Sequence, residues 1–124
     1  MDQTPERAPE AGERILVFTP DWLRRIVVVR DKTLEIRGTG YKQKTFLLGC
    51  KGKIVARCDF GEPIHIKTVA QWNKLRSQHR LPFTKKLPYK NTFGLPVQRL
   101  TPFHSPYAYT APRGAIGIVI YRGI

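Results

Sequence analysis

Between Lys32 and Arg37 the chain reads Lys-Thr-Leu-Glu-Ile-Arg, two cations and a carboxylate within six residues. Side chains alternate on an extended backbone, so Thr33, Glu35 and Arg37 fall on one face while Leu34 and Ile36 take the other. A polar strand face is costly to bury unless its groups satisfy one another. One account is structural: Glu35 and Arg37, two residues apart, form an internal ion pair that orients the strand. The other is chemical. Lys32 and Arg37 receive a phosphate or a base edge, while Glu35 positions Arg37 or accepts from a base amino group. The two accounts are compatible, and Lys32 and Glu35 are also the candidate catalytic pair if the site turns anything over.

A second constellation interleaves aromatic rings with cations: Tyr41, Lys42 and Lys44 in one loop, then Phe83, Lys85, Lys86, Tyr89 and Lys90 in another. Single-stranded RNA is held by bases stacking on aromatic faces while cations track the backbone. The competing account makes Phe83 and Tyr89 core plugs beneath a proline-ordered loop. Charge favours the nucleic acid. The 124 residues carry 22 Lys and Arg against 9 Asp and Glu, a formal net charge of +13. Residues 1–13 oppose this, with Asp2, Glu6, Glu10 and Glu13 against Arg7. After Glu62 there are ten Lys and Arg residues and no carboxylate side chain to pair with them. A polyanion is the natural partner of such a surface, ahead of mere solubility or an anionic membrane.

Other chemistry finds less support. A catalytic carboxylate would have to come from Asp21, Asp31, Glu35, Asp59 or Glu62. His65, His79 and His104 are scattered, none beside a nucleophile motif, and no Cys/His spacing matches a zinc site. Neither metal nor cofactor is predicted. Cys50 and Cys58 are expected as reduced thiols, because a two-residue Lys51-Gly52 turn sets Cys50 opposite Lys53 and Cys58 opposite Thr45.

The elements that must position these residues are short. Residues 1–13 read as a disordered acidic tail, and residues 14–124 as a single domain. Ile15 to Phe18 form a strand; Thr19-Pro20-Asp21 starts a helix with a Thr cap, and Trp22, Leu23 and Ile26 give it an apolar stripe. The β-branched run Val27 to Val29 leaves the end of that helix open. Thr33 to Arg37 is the polar strand, and Thr45 to Cys50 with Lys53 to Phe60 is a hairpin. Thr68-Val69-Ala70-Gln71 matches a capping box for a second helix over 69–79, with Trp72 as core like Trp22. Six prolines over 81–113 predict short edge strands, one spanning Phe93 to Leu100 with a break at Pro96. Ala115 to Tyr121 closes the chain as a strand. The sum is α+β, mostly β: a small mixed or antiparallel barrel with two flanking helices. No apolar run approaches a membrane span and no leader pattern opens the chain, so an intracellular monomer in cytoplasm or nucleus is expected.

Trp22 to Gly38, WLRRIVVVRDKTLEIRG, resembles the ASCH domain, a branch of the PUA-like superfamily. Gly52-Lys53-Ile54-Val55-Ala56 resembles a later strand of that family, and Pro106-Tyr107 with Gly114-Ala115 resembles its close. The resemblance spans most of residues 15–122. It implies a barrel with a cleft floored by the Lys-Thr-x-Glu-x-Arg strand, and a role in RNA or nucleotide recognition. Some relatives are amidohydrolases acting on acetylated cytidine, with the motif Lys-Thr-x-Thr-x-Arg. Lys32 and Arg37 match it, but Glu35 stands at the nucleophilic threonine. The family also has Gly where this chain has Arg30, so either Asp31 takes up a positive φ or the turn differs locally.

The leading expectation is therefore a non-catalytic RNA-binding domain, within or assisting a larger ribonucleoprotein. Its candidate contacts are Lys32, Thr33, Glu35, Arg37, Tyr41, Lys42, Lys44, Lys85, Lys86, Tyr89 and Lys90. The alternatives are a small hydrolase, acting on acetylated cytidine or as a ribonuclease, and a structural component of a nucleoprotein assembly.

Overall fold

A computed structural model describes residues 6–112 and 117–123. Its strands are β1 (Arg14–Val17), β2 (Leu34–Arg37), β3 (Thr45–Cys50), β4 (Lys53–Phe60), β5 (Ile64–Ile66), β6 (Thr92–Ala108) and β7 (Ile118–Ile120). Helices α1 (Pro20–Arg24), α2 (Val69–Lys74) and α3 (Arg76–His79) are each under two turns. The sheet runs β2-β6-β4-β3-β1-β7, with β5 added to β6, and among the described residues only the β1–β3 pairing is parallel. This is a mixed sheet curled into a half-barrel. No helix of the described residues is long and apolar enough to cross a membrane.

Alternation along β1 and β3 explains why the sheet curls around one core and carries another outside. Leu16 and Leu48 face inward with Phe46, Ala56, Cys58, Phe60 and Leu95, while Ile15 and Leu47 face the opposite side with Ile54, Phe103, Val119 and Tyr121. A third cluster, Leu34, Ile36, Ile66 and Trp72, joins β2 to α2. The predicted alternation of β2 is realised, with Leu34 fully buried. Gly94 of β6 is required there by close approach: an added Cβ would stand 2.9 Å from the Leu34 methyls.

The prolines mislead. β6 is one strand of 17 residues with Pro96, Pro102 and Pro106 inside it, not a short strand broken at Pro96. β2 and β5 pair only with its first part, so Pro102 and Pro106 fall where β4 is the one remaining neighbour. A missing N–H costs little on the open side of an edge. The register with β4 also jumps from Ala56↔Pro102 to Ile54↔Tyr107, a bulge that takes Pro106 out of the ladder. The described part of the last strand is Ile118–Ile120; Gly114 and Ala115 lie outside the described residues.

The helices fall short of their predicted lengths. The expected helix over 69–79 is interrupted at Leu75 (φ −92°, ψ 5°), giving α2 and α3. Half of its capping box forms as read, the Gln71 N–H donating to Thr68 Oγ1 at 3.1 Å, while Gln71 Oε1 accepts from the Lys67 N–H at 3.0 Å instead of from Thr68. After α1 the β-branched run widens into a π-helical turn over Arg25–Val29. Thr19 precedes α1 without making a side-chain cap. Arg30, not Asp31, takes the left-handed conformation at φ 63°, standing in the glycine's place. A side chain held there costs about 1–2 kcal/mol, and glycine's extra unfolded-state freedom offsets about 0.5–1 kcal/mol of the gain from removing it. Arg30→Gly should therefore stabilise the domain by up to about 1 kcal/mol in urea unfolding. A loss of stability would mean that the Arg30 side chain holds the turn.

The hairpin sets Cys50 opposite Lys53 as read, but a bulge between Leu48 and Gly49 brings Cys58 opposite Phe46 rather than Thr45. Both cysteines are free, and burial pushes the Cys58 thiol up to about 12, which leaves it inert. Residues 6–13, read as disordered, are laid along the outer face. Arg57 donates to the Glu13 carboxylate at 2.9 and 2.7 Å and to the carbonyls of Arg7 and Ala8, and the Tyr107 hydroxyl donates to Glu6 at 3.1 Å. Residues 1–5 of the tail lie outside the described residues.

Candidate functional site

Among the described residues the sheet does not close on itself by hydrogen bonding between β2 and β1, which stand toward opposite ends of the strand order. Arg37 spans that seam. Its Nε donates to Glu35 Oε2 at 2.8 Å, Nη2 to the Val17 carbonyl at 3.0 Å and Nη1 to the Gly117 carbonyl at 3.4 Å. Its guanidinium also stands 4.9 Å from the Phe18 ring centroid. One side chain of β2 thus clasps β1 and the segment leading into β7, and a guanidinium with its N–H groups so committed is a structural tie first. The predicted Glu35–Arg37 pair exists, and it orients the guanidinium that ties the two sides of the unpaired seam.

A cleft of about 370 Å³ opens along the seam, lined by Val17, Phe18, Thr19, Trp22, Lys32, Glu35, Ile36, Arg37, Leu81, Pro88 and Tyr89. That volume lies within the range of small-ligand sites. Lys32 is only 2% exposed. Its Nζ donates to the His79 carbonyl at 2.7 Å, lies 3.6 Å from Glu35 Oε1, and sits 5.1 Å from the Trp22 ring centroid. Burial pushes the Lys32 ammonium below the usual lysine range, and Glu35 opposes that shift. One carboxylate therefore serves two cations, leaving the cleft floor with a net positive charge.

His79, fully buried, holds the other side of Lys32 in place. Its ring lies against Trp72 at 4.1 Å, with Nε2 2.9 Å from the Trp72 carbonyl. Nδ1 accepts from the Leu81 N–H at 2.9 Å, which assigns the remaining proton to Nε2 and keeps the ring neutral. Burial likewise pushes its pKa down. The helix pair α2–α3 thus presents a carbonyl to Lys32 and starts the loop that forms the far wall of the cleft. At the other end of that loop, the Tyr89 N–H and carbonyl both bond Thr92 Oγ1, and the ring lies against Gly38, where a Cβ would come within 3.0 Å.

The predicted contacts divide. Lys32, Glu35, Arg37 and Tyr89 meet at the cleft. Thr33 does not: it is exposed, precedes β2, and exchanges backbone bonds with Gln78 and Val97. Tyr41 packs edge-on against Phe46 at 5.4 Å and is a core plug. Lys44 is paired with Glu62, and Lys42 is exposed. Lys85, Lys86 and Lys90 are exposed on the loop that carries Tyr89. Trp22 is corrected from core to wall, being half-buried with one side on the core and the other on the cleft. Phe18, Leu81 and the His79 carbonyl were missed. Phe18 and Trp22 both precede the motif and carry the apolar pattern of packing, and nothing local joins His79 to Lys32, 47 residues away. Among the described residues no group of three or more His, Cys, Asp or Glu is placed to hold a metal ion.

No family model and no curated protein sequence matches the chain. Among solved structures, the crystal structure of a mutant of ZmASCH from Zymomonas mobilis aligns with a TM-score of 0.66, covering 93% of this chain and 92% of that one at 10% identity. At that identity the likeness is one of fold, and it spans most of both chains. The chain thus has an ASCH-like fold, a small curled β-sheet whose unpaired seam forms its cleft.

Proposed function

We propose that the protein binds single-stranded RNA, taking one base into the seam cleft and laying the adjoining backbone along the basic loop 81–92, without turning it over. The observation that carries this reading is the composition of the cleft: Trp22 and Tyr89 supply ring faces around a floor where Lys32 and Glu35 stand 3.6 Å apart. Stacking surfaces beside a donor and an acceptor suit a planar heterocycle. The exposed Lys85, Lys86 and Lys90 give the phosphates cations to follow. Binding without turnover is supported by Glu35 itself. Its two oxygens face Arg37 and Lys32, and it stands where the amidohydrolases that the motif resembles carry a threonine nucleophile.

A salt titration of RNA affinity tests the reading. Log affinity should fall linearly with log salt, with a slope near −0.7 for each phosphate contacted. Lys85→Ala or Lys86→Ala should make the slope shallower without altering base preference, since phosphate contacts position rather than specify. Wild-type affinity that ignores salt, or no binding at all, would remove RNA as the ligand. One observation favours a hydrolase instead, the depressed pKa of Lys32 beside a carboxylate in a cleft. Turnover of acetylated cytidine that disappears in Lys32→Met would put that reading in its place.

A further inference from the structure

Phe83 is the residue that the cleft does not explain. It is 67% exposed, although a ring of that size normally finds a place in a core or an interface. Nor is it loose. The residues before it are tied down, with the Leu81 N–H on His79 Nδ1, the Arg76 Nε–H on the Leu81 carbonyl at 3.1 Å and the Trp72 Nε1–H on the Pro82 carbonyl at 3.1 Å. After it, the Thr84 hydroxyl and Lys86 exchange bonds at 2.6 and 3.1 Å, forming a local turn. The Arg76 guanidinium lies 3.5 Å from the Phe83 centroid and covers one ring face. A fixed aromatic ring is thus held out from the surface with a cation behind it and lysines two and three residues on.

We propose that Phe83, backed by Arg76, is a stacking platform for a second base of single-stranded RNA, outside the cleft. The proposal rests on the RNA reading above and extends it from one base to a strand. Leu81 lines the cleft, and two residues of chain reach at most about 7 Å, so the platform stands beside the cleft wall. The same loop returns to that wall at Pro88 and Tyr89. A base on the free face would form a layer of base, Phe83 and guanidinium, with Lys85 and Lys86 available to the phosphates on either side. Charge fits this occupant, since no Asp or Glu follows Glu62 anywhere in the sequence. Stacking tolerates any base, so the platform adds affinity and site length without sequence preference.

The test uses an octamer of uridylate over a range of salt, with the full chain. Phe83→Ala should weaken binding by about 5- to 100-fold at every salt concentration, displacing the log-log line downward with its slope unchanged, because stacking releases no counterions. Phe83→Trp should recover wild-type affinity, and both variants should keep the wild-type unfolding midpoint, the ring being exposed. Affinity of Phe83→Ala within twofold of wild type, a changed slope, or no recovery with Trp would overturn the platform while leaving RNA binding in place. Failure of the wild type to bind the octamer would overturn the RNA reading, and the platform with it.

Discussion

Glu35→Ala is expected to destabilise the domain by about 3–5 kcal/mol in urea unfolding, the usual result of leaving buried charge without its partner. Glu35 is 7% exposed and Lys32 2%. With the carboxylate gone, the ammonium keeps the His79 carbonyl but loses its counter-charge, and the Arg37 clasp loses the acceptor that fixes Nε. Lys32→Met in the same chain should return part of the loss, because an apolar side chain of similar length removes the stranded charge. The pH dependence follows from the sign of the Lys32 shift. Burial holds the folded pKa below 10.5, and loss of Glu35, which raises it, lowers it further. Between the folded value and 10.5 the unfolded chain binds more protons, so stability should climb with pH across that window, and the window should be wider in Glu35→Ala than in wild type. A loss below about 1 kcal/mol, or no gain from Lys32→Met, would mean that water reaches these groups and the pair is a surface one.

This pair also shows how far the residues could be read in order. Alternation placed Leu34 and Ile36 inward and paired Glu35 with Arg37, because a strand's faces follow directly from its period. It did not say that Arg37 would reach past Glu35 to Val17 and Gly117, a consequence of curling a sheet whose end strands do not pair. Thr33 was misplaced for a local reason. The strand starts one residue later, so Thr33 turns outward with the chain that leaves Arg30. Arg30 itself adopts the positive φ for which a sequence reader reserves glycine. Proline counting failed in β6, because a missing N–H matters only where a neighbouring strand would have used it, and neighbours are set by topology.

Several of these failures share a cause. Residues at the seam have two sides, one on the core and one on the cleft, and periodicity reports only that a side chain is apolar and faces inward. Trp22 has the helix stripe of a core anchor, and Tyr89 lies in a polar loop, yet both wall the same cleft. A sheet whose end strands stay unpaired leaves some of its inward-facing side chains lining a cleft, so a cleft wall can carry the sequence signature of packing.

Trp22→Ala separates those two roles and is the larger of the expected effects on binding. The indole is half-buried, with Lys32 Nζ at 5.1 Å and the Arg25 guanidinium at 5.7 Å from its ring centroid. Truncation should cost less stability than the about 3–5 kcal/mol typical of a fully buried Trp. Removing a stacking wall from the cleft should instead lower RNA affinity by about 10- to 100-fold, in the range found for base–aromatic stacking. Trp22→Phe should keep most of both, since it preserves a ring face over Lys32. The measurement pairs urea unfolding with RNA titration at high salt, where the loop lysines are screened and the cleft contributes most of what remains. A loss near the fully buried value with affinity unchanged would make Trp22 a core anchor after all, and the cleft would then lack the wall on which recognition of a base depends.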